Sequence, residues 1–164
     1  MARATRVGCG RLSVGIRAGN AGDRRWVQDL GRRTAPRSVS ALRSVDSNTL
    51  EATVDRLFDF AFGQSHVLLV AEEGAEALGY VLFLDRLLDE VTGGPQAFVV
   101  YLAVEPHARR RGIGKALMLA AEESARARGL GYVSFMVTED NLEARELYAQ
   151  LDYRTERRQL CKPL

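Results

Sequence analysis

Between the most continuously apolar run in the chain, Ala97 to Glu105, and a stretch of helical periodicity stands Arg109-Arg110-Arg111-Gly112-Ile113-Gly114-Lys115. This succession dictates a strand, a tight turn and a helix. Pro106 removes a backbone donor and helps to end the strand, while Ile113, Leu117, Ala120, Ala121 and Ser124 recur on one helical face until Gly129 stops it. Two glycines one residue apart at a helix start let the backbone come close to a ligand. The free N–H groups of the first turn then point outward, with the positive end of the helix dipole behind them. Such an opening is an anion cradle. Its spacing departs from nucleotide loops, because Ala116 and Leu117 offer no hydroxyl for magnesium and Leu117 stands where a dinucleotide turn has its third glycine. Gly112 and Gly114 would otherwise be read as tight-packing glycines, but the three arginines ahead of them favour an anion.

The remainder of the chain surrounds this unit with strands and helices. Ser13 to Arg17 alternates apolar and polar residues and reads as a strand entering a turn at Gly19 to Gly22, after which Asp23 is expected to cap a helix containing Trp26, Val27 and Leu30. A second helix is expected from about Leu50 to Phe62, closed by Gly63. His66 to Glu72 and Leu78 to Leu84 make an antiparallel hairpin. Ala97 to Glu105 is expected to be the central strand, covered on both faces. A strand over Tyr132 to Thr138, a helix opened by Asn141 and a last strand from about Tyr153 to Leu160 complete the order β-α-α-β-β-β-α-β-α-β. This is an α+β fold, a sheet flanked by helices.

Composition narrows the function classes. The 164 residues are 46% hydrophobic and 27% charged, enough for one globular domain with a full core and unlike a disordered or collagenous chain. The expected division is a basic tail over residues 1–12 and one domain over residues 13–164. No apolar run approaches the roughly 18 residues of a membrane helix. Met1 to Arg11 lacks the apolar stretch of a secretory signal, so the expected location is cytoplasmic. Cys9 and Cys161 have no C-x-x-C partner, and His66 and His107 have no second ligand at metal spacing, so neither a disulfide framework nor a metal site is expected. Residues 1–43 hold ten arginines against Asp23 and Asp29. Without interleaved aromatics, these read as a solvated tail and helix face rather than a nucleic-acid surface.

Arg109 to Gly114 after an apolar strand, preceded by Leu102-Ala103-Val104-Glu105-Pro106, resembles the signature [RQ]-x-x-G-x-[GA] of the GNAT superfamily of acetyl-coenzyme A-dependent N-acetyltransferases. Asn141, Ala144, Leu147, Tyr148 and Leu151 match a second element of that family at the proper separation. The resemblance spans about residues 13 to 160 and implies a mixed, mostly antiparallel sheet whose splayed central strands form an acetyl-coenzyme A cleft. It implies that Arg109, Arg110, Arg111, Gly112, Ile113, Gly114 and Lys115 hold the pyrophosphate, with the backbone N–H groups of Arg110 to Gly114 as its donors. It further implies that Leu102, Ala103 and Val104 pair with the pantetheine arm, and that a bulge N–H polarises the thioester carbonyl. Tyr148 matches the family's general acid, and Asn141 a coenzyme-contacting position. From the residues alone, Tyr148 is also a core aromatic and Asn141 also a helix N-cap.

The acceptor implied is a primary amine, which must attack in its neutral form; a lysine-like amine with pKa about 10.4 is neutral in roughly one molecule per few thousand at pH 7. Where several family members place a base, this chain has Phe98, Val100 and Met136. Asp85, Asp89, Glu90 and Glu139 are the remaining carboxylate candidates. A second departure is Asp152-Tyr153, where the family commonly has Gly-Phe. Acidic residues after Leu84 suit a cationic amine, whereas Arg32, Arg33, Arg37 and Arg43 suit an anionic one, so the acceptor stays open. A homodimer is also left open. The rival readings are a non-catalytic acyl-coenzyme A binding module and, through the arginine-rich N-terminus, a nucleic-acid-binding protein.

Overall fold

The computed structural model describes residues 14–164; the basic tail, Cys9 and Ser13 lie outside the described residues. In chain order the elements are β1 (Gly15–Ala18), α1 (Arg24–Thr34), α2 (Ser47–Phe62), β2 (His66–Glu73), β3 (Glu76–Leu88), β4 (Pro95–Val104), α3 (Ile113–Ala127), β5 (Val133–Ser134) and α4 (Leu142–Ala149), with short 3-10 turns after β1, α1 and β4. The sheet runs β1-β2-β3-β4-β5, antiparallel except for the parallel β4–β5 pair. Four helices flank this mixed five-stranded sheet.

Alternating side chains of the sheet feed two cores. On one face Val81, Phe83, Ala97 and Val99 meet Ile113, Leu117 and Met118 of α3. On the other, Leu68, Tyr80, Leu82 and Ala103 meet Val27 and Leu30 of α1 and Phe58 of α2. Helices α1 and α2 approach closely because Gly31 has no side chain: a Cβ there would stand 2.3 Å from Cε2 of Phe58.

The doubly covered strand is β3, not β4. Leu78 to Leu84 are all buried, because α3 covers one face of β3 and α1 and α2 the other, and β3 is also paired along both edges, whereas β4 is paired with β5 only at Ala97 and Phe98. An apolar run measures which side chains are greasy, not how many strand neighbours they have. Helix α2 begins earlier than its apolar periodicity, because the Asp46 carboxylate accepts from the Thr49 N–H and caps it. Asp23 does not cap α1. Its carboxylate accepts from Arg17 and from the Asn20 N–H instead, in a capping box around the preceding 3-10 turn. The strand expected over Tyr132 to Thr138 reduces to Val133–Ser134, and the expected last strand, Tyr153 to Leu160, forms no ladder. Among the described residues no helix is long and apolar enough to cross a membrane.

One buried carboxylate ties the layers together at the end of β4. Glu105 accepts both terminal nitrogens of Arg33, at 2.9 and 2.8 Å, and the Trp26 indole N–H at 3.0 Å, pinning α1 to the sheet. The Arg33 hydrogen bonds, and less so that of Trp26, hold its carboxyl below the usual range against the opposing effect of burial. A group depressed in the folded state stabilises above its unfolded pKa and loses that contribution as pH falls through the folded value. Glu105→Gln is therefore expected to cost about 2 kcal/mol at pH 7. The gap to wild type, read by urea melts across pH, should close below about pH 4.

Candidate active site

The open edge of β4 is built by a bulge. Leu82 pairs with Tyr101 but Phe83 with Val99, so Val100 is the extra residue. Ala97 donates outward, to the Tyr132 carbonyl of the β5 segment, whereas Glu105 donates inward, to Leu78 of β3. Both are odd-numbered, so without the inserted residue they would face the same side. The bulge reverses the alternation and turns the backbone groups of Leu102 and Val104 outward, on the side where β5 has already diverged. The bulge thus lies at Val100, ahead of the Leu102-Ala103-Val104 stretch rather than within it. Leu102 and Val104 present strand edge to the splay; Ala103 turns its backbone toward β3, and its side chain is buried under α1 and α2.

The turn that follows holds two consecutive demands on the backbone. Gly112 has φ of +79° and a Cβ there would meet nothing, so it is glycine for conformation. Gly114 is glycine partly for packing, because its Cβ would lie 3.3 Å from Cδ2 of Leu147 on α4. Arg110 is itself left-handed, with φ of 61°, a conformation uncommon outside glycine and asparagine. No side chain caps α3, and its first backbone bond is Ala116 to the Gly112 carbonyl at 3.0 Å. Among the described residues no acceptor is found for the N–H groups from Arg110 to Lys115. This open row of donors lies at the turn where the sequence reading expects an anion cradle.

The four basic residues around it divide. Arg109 turns back, its Nε donating to the Val104 carbonyl at 3.4 Å, so it serves the strand edge rather than the mouth of the cradle. Arg111 pairs with Glu73 at 3.0 Å. Arg110 and Lys115 are exposed beside the turn.

Helix α4 docks on the start of α3 through Leu147 against Gly114. The next residue, Tyr148, is half-buried, its ring 4.1 Å from Phe135 and 6.0 Å from Tyr153. Burial alone pushes its phenol up to about 12. Asn141 caps α4, its side-chain oxygen accepting from the Ala144 N–H at 3.3 Å. Asp152 takes φ of 62°, the left-handed turn that the family's glycine would occupy, and aspartate tolerates it.

Carboxylates near β4 are engaged elsewhere. Asp89 accepts from Thr92 and Arg157, which hold it far below the usual carboxylate range. Asp85 binds Ser65 and Arg128 and is lowered as well. Glu90 pairs with Arg157 at 3.2 Å, and Glu139 with Arg145 at 3.0 Å. Among the described residues no cluster of three metal-ligating side chains occurs. A surface pocket beside Glu122, Arg126 and Tyr153 lies roughly 15 Å along α3 from Gly112 and contains none of these site residues.

Sequence reasoning expects the bulge nearer Ala103 and Val104 than its place at Val100, and it missed the Arg109 contact and the Glu105 cluster, since each rests on partners fixed only by strand pairing. Only the doubled glycines and the Asn141 cap carried a local signal.

Comparison with known proteins agrees with this geometry. The chain is similar to a Pyrococcus furiosus protein named for acetyl transfer, at 28% identity over 92% of this chain and 99% of that one, with a TM-score of 0.79. It is similar to a GCN5-related N-acetyltransferase from Ralstonia eutropha JMP134 at 24% identity, 92% and 98% coverage, and a TM-score of 0.70. AAC(6')-Iy, in complex with the bisubstrate analogue CoA-S-monomethyl-acetylneamine, shares the fold at 18% identity, 92% and 97% coverage, and a TM-score of 0.66. No curated protein matches the sequence. The family model described as Acetyltransferase (GNAT) family matches residues 38–153, a span that takes in the bulged strand, the glycine turn and Tyr148. With most of the chain inside that match, and the turn and the open edge where its signature falls, this protein belongs to the GNAT acetyltransferase family.

Proposed function

We propose that this N-acetyltransferase moves acetyl from acetyl-coenzyme A to a primary amine by direct attack. One observation carries the reading: the unaccepted N–H groups from Arg110 to Lys115 adjoin the outward backbone of Leu102 and Val104. A diphosphate fits the first and an amide-bearing arm the second. The coenzyme supplies the acetyl group as an activated thioester. The chain's own residues do the rest. Gly112, Ile113 and Gly114 offer main-chain donors, with the charges of Arg110 and Lys115 beside them. Arg109 holds the strand edge by its bond to Val104, and Arg111 is held to Glu73 at the rim.

The amine nitrogen forms the new C–N bond as the C–S bond breaks; the nitrogen gives up one proton and the departing sulfur takes one. Tyr148 is the proposed proton donor, and Asn141 acts by fixing the start of its helix. With the phenol near 12 against about 8.5 for a free thiol, full transfer is uphill by about 5 kcal/mol. Its help is correspondingly limited. Tyr148→Phe is expected to lower kcat/KM about 10-fold, less than a well-matched general acid contributes. Acetyl-coenzyme A affinity by calorimetry should stay within a few-fold. The overall reading is tested by heating the protein with and without acetyl-coenzyme A and by following thiol release with amines. Absence of a thermal shift overturns it.

A further inference from the structure

The wall that faces α1 and α2 across the splayed strands is uncharged. Ala97 and Phe135 point into the α3 core, so their neighbours Gln96, Phe98 and Ser134 point the other way. The Ser134 hydroxyl donating to the Gln96 side chain at 2.5 Å confirms the shared face. The bulge adds Val100 to this side, where it packs on the α1/α2 core. Met136 continues the Ser134 face and is 81% exposed, and two residues on, the Thr138 hydroxyl reaches the Ser38 carbonyl after α1. The wall is therefore Phe98, Val100 and Met136, with one amide–hydroxyl pair.

The acids that flank it are engaged by partners among the described residues. Beyond the loop acids already paired, Glu143 binds Arg37, Asp140 accepts the Ala41 N–H, and Arg32 is shared by Asp29 and Asp55. The Tyr101 hydroxyl donates to the Gly31 carbonyl at 3.1 Å. His66 sits on β2, with β3 between it and β4, its ring 5.2 Å from Phe62 and its Nδ1 2.8 Å from the Gln64 carbonyl. Residues 1–13 contain no Asp, Glu or His. Among the described residues no Asp, Glu or His stands on this wall to take a proton from a strongly basic amine, and the acids beside it are tied to Arg37, Arg145, Arg157 or the Ala41 N–H.

We infer that the acceptor is a weakly basic α-amino group, the N-terminal amine of a peptide whose first side chain is apolar, rather than the amine of a polyamine or a lysine. This rests on the acetyltransferase reading above. A peptide α-amine, with pKa about 7.8, is neutral about 300 times more often at pH 7 than an alkyl amine of pKa about 10.4. It therefore meets a site without a base half-prepared. Phe98, Val100 and Met136 give an apolar side chain a surface that leaves water favourably, whereas an ammonium chain would lose hydration there without a partner.

The test compares Leu-Gly-Gly amide, Asp-Gly-Gly amide, spermidine and Nα-acetyl-lysine amide as acceptors at pH 7, with thiol release and product mass as readouts. The Leu peptide should exceed spermidine and the lysine amide in kcat/KM by about 100-fold or more, following the neutral fraction. It should exceed the Asp peptide about 10-fold. Met136→Glu, at an exposed position, is expected to narrow the gap to spermidine at least 10-fold. Spermidine or the lysine amide matching the Leu peptide overturns the inference. So does failure of all four while acetyl-coenzyme A still raises the melting temperature. Failure of the coenzyme itself to bind overturns the acetyltransferase reading instead, and this inference falls with it.

Discussion

Gly112→Asp is expected to weaken acetyl-coenzyme A binding about 100-fold, a loss of about 2.7 kcal/mol. The substitution acts on the ligand more than on the fold. A Cβ at Gly112 meets no atom within 4 Å, and aspartate is among the few side chains that accept the left-handed backbone that φ of +79° demands. What changes is charge: a carboxylate would stand at the positive end of α3, where the proposed reading puts a diphosphate, and like charges at short range cost several kcal/mol where water is partly excluded. Gly112→Asn separates the causes, because it brings the same shape and backbone tolerance without the charge. It should lose no more than a tenth of the affinity that Asp loses. Equal affinity of wild type and Gly112→Asp in calorimetry removes the cradle from the mechanism.

For acceptors of differing basicity, log(kcat/KM) is expected to rise with a slope near one up to each amine's own pKa. For an alkyl amine this is about 100-fold between pH 7 and pH 9. The sign follows from the vacancy at Phe98, Val100 and Met136: only the neutral amine attacks, and bulk solution deprotonates it. Asp89 is the least suited of the loop acids to act as a base, since Thr92 and Arg157 hold its carboxylate far below the usual range and make it a weaker proton acceptor. A profile that bends near pH 6 to 7 for every amine, and loses that bend when Asp85, Glu90 or Glu139 is replaced by its amide, would identify an enzyme base instead.

How much of this was legible beforehand depends on the range of each signal. Gly112, Gly129 and Asn141 act within their own turn, and the left-handed backbone of the two glycines and the cap made by Asn141 are legible from local sequence. Gly114 looked like a partner of Gly112 in ligand approach, yet it also answers to Leu147, which only the docking of α4 reveals. The central strand is misplaced from sequence because Gly79 and Asp85 interrupt the apolar look of β3, although Gly79 is needed there, since a Cβ at that position would stand 2.7 Å from the Ala103 carbonyl oxygen on the neighbouring strand. Tyr153 to Leu160, expected as a last strand, finds no partner edge. Glu105, Arg33 and Trp26 are 72 and 79 residues apart, so no local pattern announces them.

The single inserted residue at Val100 also bears on solubility. From Val99 to Val104 the outer side of β4 carries main-chain groups with no neighbouring strand, and an exposed row of that kind is a template on which other chains assemble. Proteins usually blunt such a row with lysine, proline or a covering helix; here Arg109 masks one carbonyl, at Val104, and leaves the rest open. On the proposed reading the coenzyme arm lies along that row. The substrate then doubles as a guard against self-association, and the empty enzyme is the aggregation-prone form.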